Sequence, residues 1–251
     1  MSERIDHLVV LCGGKGSRLH SVIPDIPKAL IDVNGKPFLE HLLHFAGQSG
    51  FATVTLACGH LSDAIETFVN NRQTDDASPS VKILIEKETT PMGTGGAVLR
   101  LLERLPSQFA VCNADTLFDF PIESALEWYA GLKNACGVVA HKRDREQLDV
   151  GHIIINSEDQ IVDFIEKSEL NTKETTYINS GFYFFDKKLI NGFEICACSL
   201  EIEILPELAK QGVLHCYHKM VKPFHDYGTL ERYKKLNDRE VTEMEIVNDR
   251  N

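Results

Sequence analysis

The sequence predicts an α/β protein: a Rossmann-like, mixed but mainly parallel sheet flanked by helices. Three observations predict it. An unbroken apolar run, Leu8-Val9-Val10-Leu11, suits a strand buried on both faces, and it breaks straight into a glycine loop. Beyond it, short apolar runs alternate with stretches of helical periodicity, the sign of a parallel sheet with helices on both faces. A further apolar run, residues 109–115, ends in the carboxylate of Asp115. Ligands in open α/β sheets bind beyond the carboxyl ends of strands.

The elements follow in order. Residues 37–47 carry Phe38, Leu39, Leu42, Leu43 and Phe45 on one helical face. Residues 51–57 form a second strand, and residues 60–71 a helix with Leu61, Ala64, Ile65 and Phe68 three and four apart. A polar turn over 75–80 precedes a third strand at 81–85. Residues 86–97 form a glycine-rich loop that opens a helix over 97–105, leaving its first N–H groups free. After the strand at 109–115 come a helix over 121–133, with Trp128 on its apolar side, and a strand at 137–141. The charge run 142–147 reads as a solvated loop. Residues 151–167 read as a β-hairpin turning at 157–159, and 177–185 as an apolar, aromatic strand. Residues 200–211 and 230–236 close the chain as helices. No hexapeptide repeat follows them.

Composition bounds the function. The 251 residues allow one large domain or two small ones. A formal net charge of −11 argues against a nucleic-acid surface, which needs a basic stripe. It also means that anionic substrates must be held by a local patch of cations or by metal. The seven cysteines are scattered, and Cys196-x-Cys198 has no second pair at zinc spacing, so they read as reduced thiols. No signal-peptide stretch opens the sequence and no run of 18 apolar residues occurs, so the expectation is a soluble cytoplasmic protein without membrane contact.

The loop Gly13-Gly14-Lys15-Gly16-Ser17-Arg18 carries the first chemistry. Glycines let a backbone bend and approach a ligand closely, exposed N–H groups cradle phosphate oxygens, and Lys15 and Arg18 add positive charge. The loop reads as a triphosphate cradle or as a tight structural turn. It is not a Walker loop, because Ser17 follows Gly16 directly, nor a dinucleotide fingerprint, because Leu19 occupies the third glycine position. That second mismatch counts against an NAD-dependent oxidoreductase. Asp115 is a hard oxygen ligand suited to Mg²⁺.

Further on come Asp25-Ile-Pro-Lys28 and Lys36-Pro-Phe-Leu-Glu40. With the glycine loop, these segments resemble the sugar-1-phosphate nucleotidyltransferases, the NDP-sugar pyrophosphorylases. Within that family they look like the D-glycero-D-manno-heptose 1-phosphate guanylyltransferases. The resemblance covers about residues 7–236 and implies the nucleotide-diphospho-sugar transferase fold. It implies one nucleotidyltransferase domain over residues 1–236. Residues 1–120 would bind nucleotide and 121–229 would bind sugar, before a charged tail at 237–251.

The resemblance also implies roles. Arg18, Lys15 and Lys28 would be catalytic cations. Leu11, Cys12, Gly13, Gly14, Gly16, Ser17, Pro91, Gly93, Thr94 and Asn113 would bind the nucleotide. Gly151, Glu166, Lys167 and Asn179 would hold the sugar phosphate, and Asp115 and Asp226 would share Mg²⁺. Alanine replaces glycine at Ala114 of the family's Asn-Gly-Asp. The implied partners are an NTP, GTP by the heptose resemblance, and a sugar 1-phosphate. Mannose 1-phosphate, or another sugar with CTP or UTP, stays open, as does a non-catalytic nucleotide-sugar sensor. The apolar strand 182–185, read as exposed, hints at a homodimer.

Overall fold

The computed structural model describes residues 4–14, 26–72, 80–142, 152–165, 176–222, 225–227 and 230–237. Strand β1 (His7–Leu11) lies at the centre of the parallel half of the sheet. A 3₁₀ turn (Lys28–Leu30) then leads to a small hairpin of β2 (Asp32–Val33) and β3 (Lys36–Pro37). Asn34 and Gly35 both take positive φ there, 54° and 79°, as the turn between two paired strands demands. Helix α1 (Phe38–Gln48), β4 (Thr53–Cys58), α2 (Ser62–Asn71) and β5 (Lys82–Lys87) follow. Then come α3 (Gly93–Leu101), a 3₁₀ turn (Leu102–Arg104), β6 (Gln108–Asn113), β7 (Thr116–Leu117) and α4 (Ile122–Gly131).

The second half holds β8 (Cys136–Lys142), β9 (His152–Ile155), β10 (Ile161–Ile165) and the ten-residue β11 (Tyr177–Asp186). A short helix α5 (Lys187–Ile190), a π-helix (Leu200–Ile204), α6 (Leu205–Lys210), β12 (Leu214–Tyr217), β13 (His225–Asp226) and α7 (Leu230–Asn237) complete it.

Among the described residues, nine strands form one mixed sheet. Strands β5, β4, β1 and β6 run parallel. β11 joins them antiparallel to β6, and it also pairs with β8 and β9. Residues of β1 alternate between two cores. Leu8 and Val10 pack on one face with α1, through Leu42 and Phe45. Val9 packs on the other with α3, through Val98 and Leu101. Both faces are covered, which explains the continuous apolar run of β1.

Several elements differ from the sequence expectation. Helix α3 begins at Gly93, not Ala97, so the glycines form its first turn. The expected helix over 200–211 is a π-helix followed by α6, and Pro206 in its first turn has no N–H to donate back along the chain. β12 had no counterpart in the sequence reading, because four residues are too few to show a period. The strand 182–185 is no exposed face. Phe182, Tyr183, Phe184 and Phe185 are fully buried between β6 and β8, which removes the argument for a homodimer drawn from them. All seven cysteines are free thiols, as the sequence suggested. Among the described residues no helix is long and apolar enough to cross a membrane. The tail beyond 237 lies outside the described residues.

Candidate active site

The carboxyl ends of the parallel strands line up. Leu11 on β1 pairs in register with Ala57 on β4 and with Asn113 on β6. Beyond them lies a cavity of about 390 Å³. Leu11, Cys12, Gly13 and Gly14 form one wall, and Pro91, Gly93 and Thr94 form another. Asn113, Asp115 and Lys28 close it. Ten residues singled out for the nucleotide, catalysis or metal therefore converge on one cavity.

Asp115 follows β6 through a tight turn, and Lys28 reaches it from the 3₁₀ turn after the glycine loop. Their side chains form a half-buried ion pair. Strand β13 lies antiparallel to β7, with Asp226 opposite Thr116. The backbone thus returns to the neighbourhood of Asp115 at Asp226, and the Tyr227 N–H donates to the Asp115 carbonyl at 3.3 Å. The Asp226 side chain lies outside the described residues, as do Lys15, Gly16, Ser17, Arg18, Gly151, Glu166 and Lys167.

Three groups of the site carry no sequence motif. Tyr227 is fully buried, and its hydroxyl lies 2.9 Å from the Ala114 carbonyl and 3.0 Å from that of Lys28, so it ties the two backbones together. The Lys28 ammonium sits over its ring, 5.5 Å from the centroid. Burial, then Asp115, pushes the Tyr227 pKa well up, so the hydroxyl remains a neutral donor. Its place directly after Asp226 was the one available hint.

Glu88 is the second. It lines the cavity at the end of β5 and packs beside Gly13 and Gly59. Its Oε2 accepts from the Met92 N–H at 3.4 Å, while Oε1 is buried without a partner among the described residues. Burial raises its pKa, against smaller lowering effects of Met92 and Arg100. Glu201 is the third. It accepts from the Thr94 hydroxyl at 2.8 Å and from the Tyr183 hydroxyl at 3.2 Å. In the sequence it is marked only by lying in the helix expected over 200–211.

Asn179 sits on the bulged part of β11, where the pairing with β8 shifts between Asn179 and Phe182. Its Oδ1 accepts the Gly181 N–H at 2.9 Å and its Nδ2 donates to the Tyr183 oxygen at 2.9 Å. One amide proton and one lone pair remain for a ligand. Gly181 has φ +75°, and a Cβ there would run into the Asn113 side chain. Glycine is required here by backbone and by packing. Asn113 and Asn179 are thereby brought to the same seam of the sheet.

A family profile described as nucleotidyl transferase matches residues 7–243. The chain belongs to the nucleotidyl transferase family. It is 32% identical over 187 residues to the D-glycero-alpha-D-manno-heptose 1-phosphate guanylyltransferase of Campylobacter jejuni, covering 74% of this chain and 79% of that protein. It is 29% identical over 211 residues to the mannose-1-phosphate guanyltransferase beta-A of Xenopus laevis, covering 82% of this chain but only 57% of that longer protein. The crystal structure of HddC from Yersinia pseudotuberculosis superposes with a TM-score of 0.78 at 28% identity, over 93% of this chain and 99% of that one. A second HddC structure carries GMP-PN. The fold is that of the nucleotide-diphospho-sugar transferases, and the reaction class is nucleotidyl transfer. The oxidoreductase reading gives way to it.

Proposed function

We propose that the protein transfers GMP from GTP to a sugar 1-phosphate, D-glycero-D-manno-heptose 1-phosphate, releasing pyrophosphate. Mannose 1-phosphate is the alternative sugar. The observation that carries the nucleotide part is the Glu88 carboxylate in the cavity wall. Guanine alone among the bases presents two adjacent donors, N1–H and N2–H₂, on its pairing edge, and a carboxylate accepts both. Adenine and cytosine put an acceptor beside their amino group, and uracil and thymine flank their N–H with carbonyls. The name of the Campylobacter relative supports the sugar.

In the mechanism, a phosphate oxygen of the sugar 1-phosphate attacks the α-phosphorus in line. The second pKa of a phosphate monoester is about 6, so no strong base is needed. The obstacle is charge, because two anions meet and a third leaves. The chain's work is positioning and electrostatic stabilisation. Lys28 and Asp115, paired in the free protein, must separate, with Lys28 turning to phosphate. Arg18 and Lys15 would hold the triphosphate and the departing pyrophosphate, and Lys167 the attacking phosphate, with Glu166, Asn179 and the Gly151 main chain on the sugar. Mg²⁺ takes one or two carboxylates and fills its shell with phosphate oxygens and water. Held by Asp115 and Asp226, it would neutralise the α-phosphate.

The test is pyrophosphate release across five NTPs crossed with a panel of sugar 1-phosphates. Release with GTP alone, dependent on heptose 1-phosphate and abolished by EDTA, is the expected result. Release with another base overturns the Glu88 argument. Nucleotide binding without release with any sugar points to a sensor.

A further inference from the structure

The π-helix carries a carboxylate that collects three hydroxyl protons. Glu201 Oε2 accepts from Thr94 Oγ1 at 2.8 Å and from Ser199 Oγ at 2.7 Å, and Oε1 accepts from the Tyr183 hydroxyl at 3.2 Å. The direction of each bond is forced. Thr94 Oγ1 already accepts the Leu200 N–H at 2.8 Å. Ser199 Oγ accepts the N–H groups of Glu201 and Ile202 at 3.1 and 3.2 Å. The Tyr183 oxygen accepts from Asn179 Nδ2, whose orientation is set because Gly181 N–H, a donor only, points at Oδ1. Each hydroxyl has one proton, and Glu201 receives all three.

We infer that Glu201 is a positioning residue for nucleotidyl transfer, joining the nucleotide-side turn at Thr94 to the sugar-side amide of Asn179 through one ordered chain, Asn179–Tyr183–Glu201–Thr94. The two ends lie on different elements, α3 and β11. A second contact fixes the α3 end. The Cys198 carbonyl accepts the N–H groups of Gly95 and Gly96 at 2.9 and 3.3 Å, and the Cys198 N–H donates to Met92 at 3.0 Å. Side chains at Gly93, Gly95 or Gly96 would collide with residues 196–198. The segment ending in Glu201 therefore sets where the first turn of α3 stands.

The chain needs a carboxylate. An amide offers one acceptor oxygen and two donors, so a glutamine at this position turns its NH₂ toward either Tyr183 or the Thr94 and Ser199 hydroxyls, and one arm is lost. Tyr183 is fully buried, so a lost acceptor there is not replaced by bulk water. The sugar arm of this inference rests on the substrate reading above; the nucleotide arm does not.

The test uses the full chain with Glu201→Gln and Tyr183→Phe. Both are checked for thermal midpoint, then titrated with an α,β-methylene analogue of GTP and assayed for sugar-phosphate KM. Tyr183→Phe cuts only the sugar arm. It is expected to raise the sugar-phosphate KM roughly fivefold, the lower end of ordinary site coupling, and to leave the analogue Kd within about twofold. Glu201→Gln cuts both and is expected to weaken the analogue roughly fivefold as well. A purely structural role lowers the midpoint in both variants without this split. Equal effects of the two variants on the analogue, or unchanged KM in Tyr183→Phe, overturn the inference. Should no sugar phosphate support release in the unaltered protein, the substrate reading fails, and the analogue arm still decides whether Glu201 positions Thr94. If Glu201→Gln does not fold, Tyr183→Phe carries the decision through KM against Kd.

Discussion

The two halves of the sheet present ligand-facing residues by different means. In the parallel half, β1, β4 and β6 end at one edge, so Leu11, Ala57 and Asn113 fall into line and the following loops all meet there. Topology alone gathers the residues proposed for the nucleotide. In the antiparallel half no such edge exists. Asn179 lies within β11, and the irregularity between Asn179 and Phe182 brings Gly181 against the Asn113 side chain. A site on parallel strands comes from strand order, whereas a site on antiparallel strands needs a local irregularity, and that irregularity is a point of weakness.

The seam between the halves is the first place to break. Phe182 is fully buried on β11, ringed by Phe45, Phe118, Phe120 and Phe184 with centroids 5.3 to 6.3 Å away. Phe182→Ala is expected to cost about 3–5 kcal/mol in denaturant unfolding. Gly181→Ala attacks the bulge itself. Strain at positive φ adds to the collision with Asn113, so the expected loss is about 2–4 kcal/mol, with sugar-phosphate KM raised more than nucleotide Kd. A larger effect on nucleotide would mean that the bulge serves the parallel half instead.

Asp115→Ala tests the parallel edge without disturbing the fold. Turnover is expected to fall at least roughly 10²-fold, as loss of an electrostatic contact commonly does, while the far-ultraviolet spectrum stays unchanged. Near wild-type turnover would remove Asp115 from the site. Away from both halves' ligand edges, Arg72 makes a two-pronged pair with Glu40, at 2.7 and 2.8 Å. Arg72→Met is expected to cost about 1 kcal/mol in stability and nothing in turnover.

The smallest effect concerns Glu88. Burial raises its pKa, so the folded state holds its proton more readily than the unfolded chain. The ionised form therefore costs stability at neutral pH, and the cost fades as pH falls through the raised pKa. Glu88→Gln should then raise the thermal midpoint slightly at pH 7, with the gain shrinking in acid, while GTP loses its advantage over other nucleotides. A lower midpoint at pH 7 would show that the carboxylate stabilises the fold.

By itself the sequence determined what is written in short windows. The apolar run of β1, the helical face of α1, the glycines that open α3 and the carboxylate after β6 are local patterns, and each lies within a few residues of its expected place. The convergence of the nucleotide residues followed, because a parallel sheet leaves few places for them to go. Tertiary structure alone decided the Lys28–Asp115 pair, the Tyr227 tie and the Glu201 chain. These join residues 87, 199 and 107 positions apart. It also decided the burial of residues 182–185, since an aromatic strand reads alike at an edge or in the middle of a sheet. A hydrogen bond between side chains so far apart imposes no period on the sequence, and only the packing that closes those loops makes it visible.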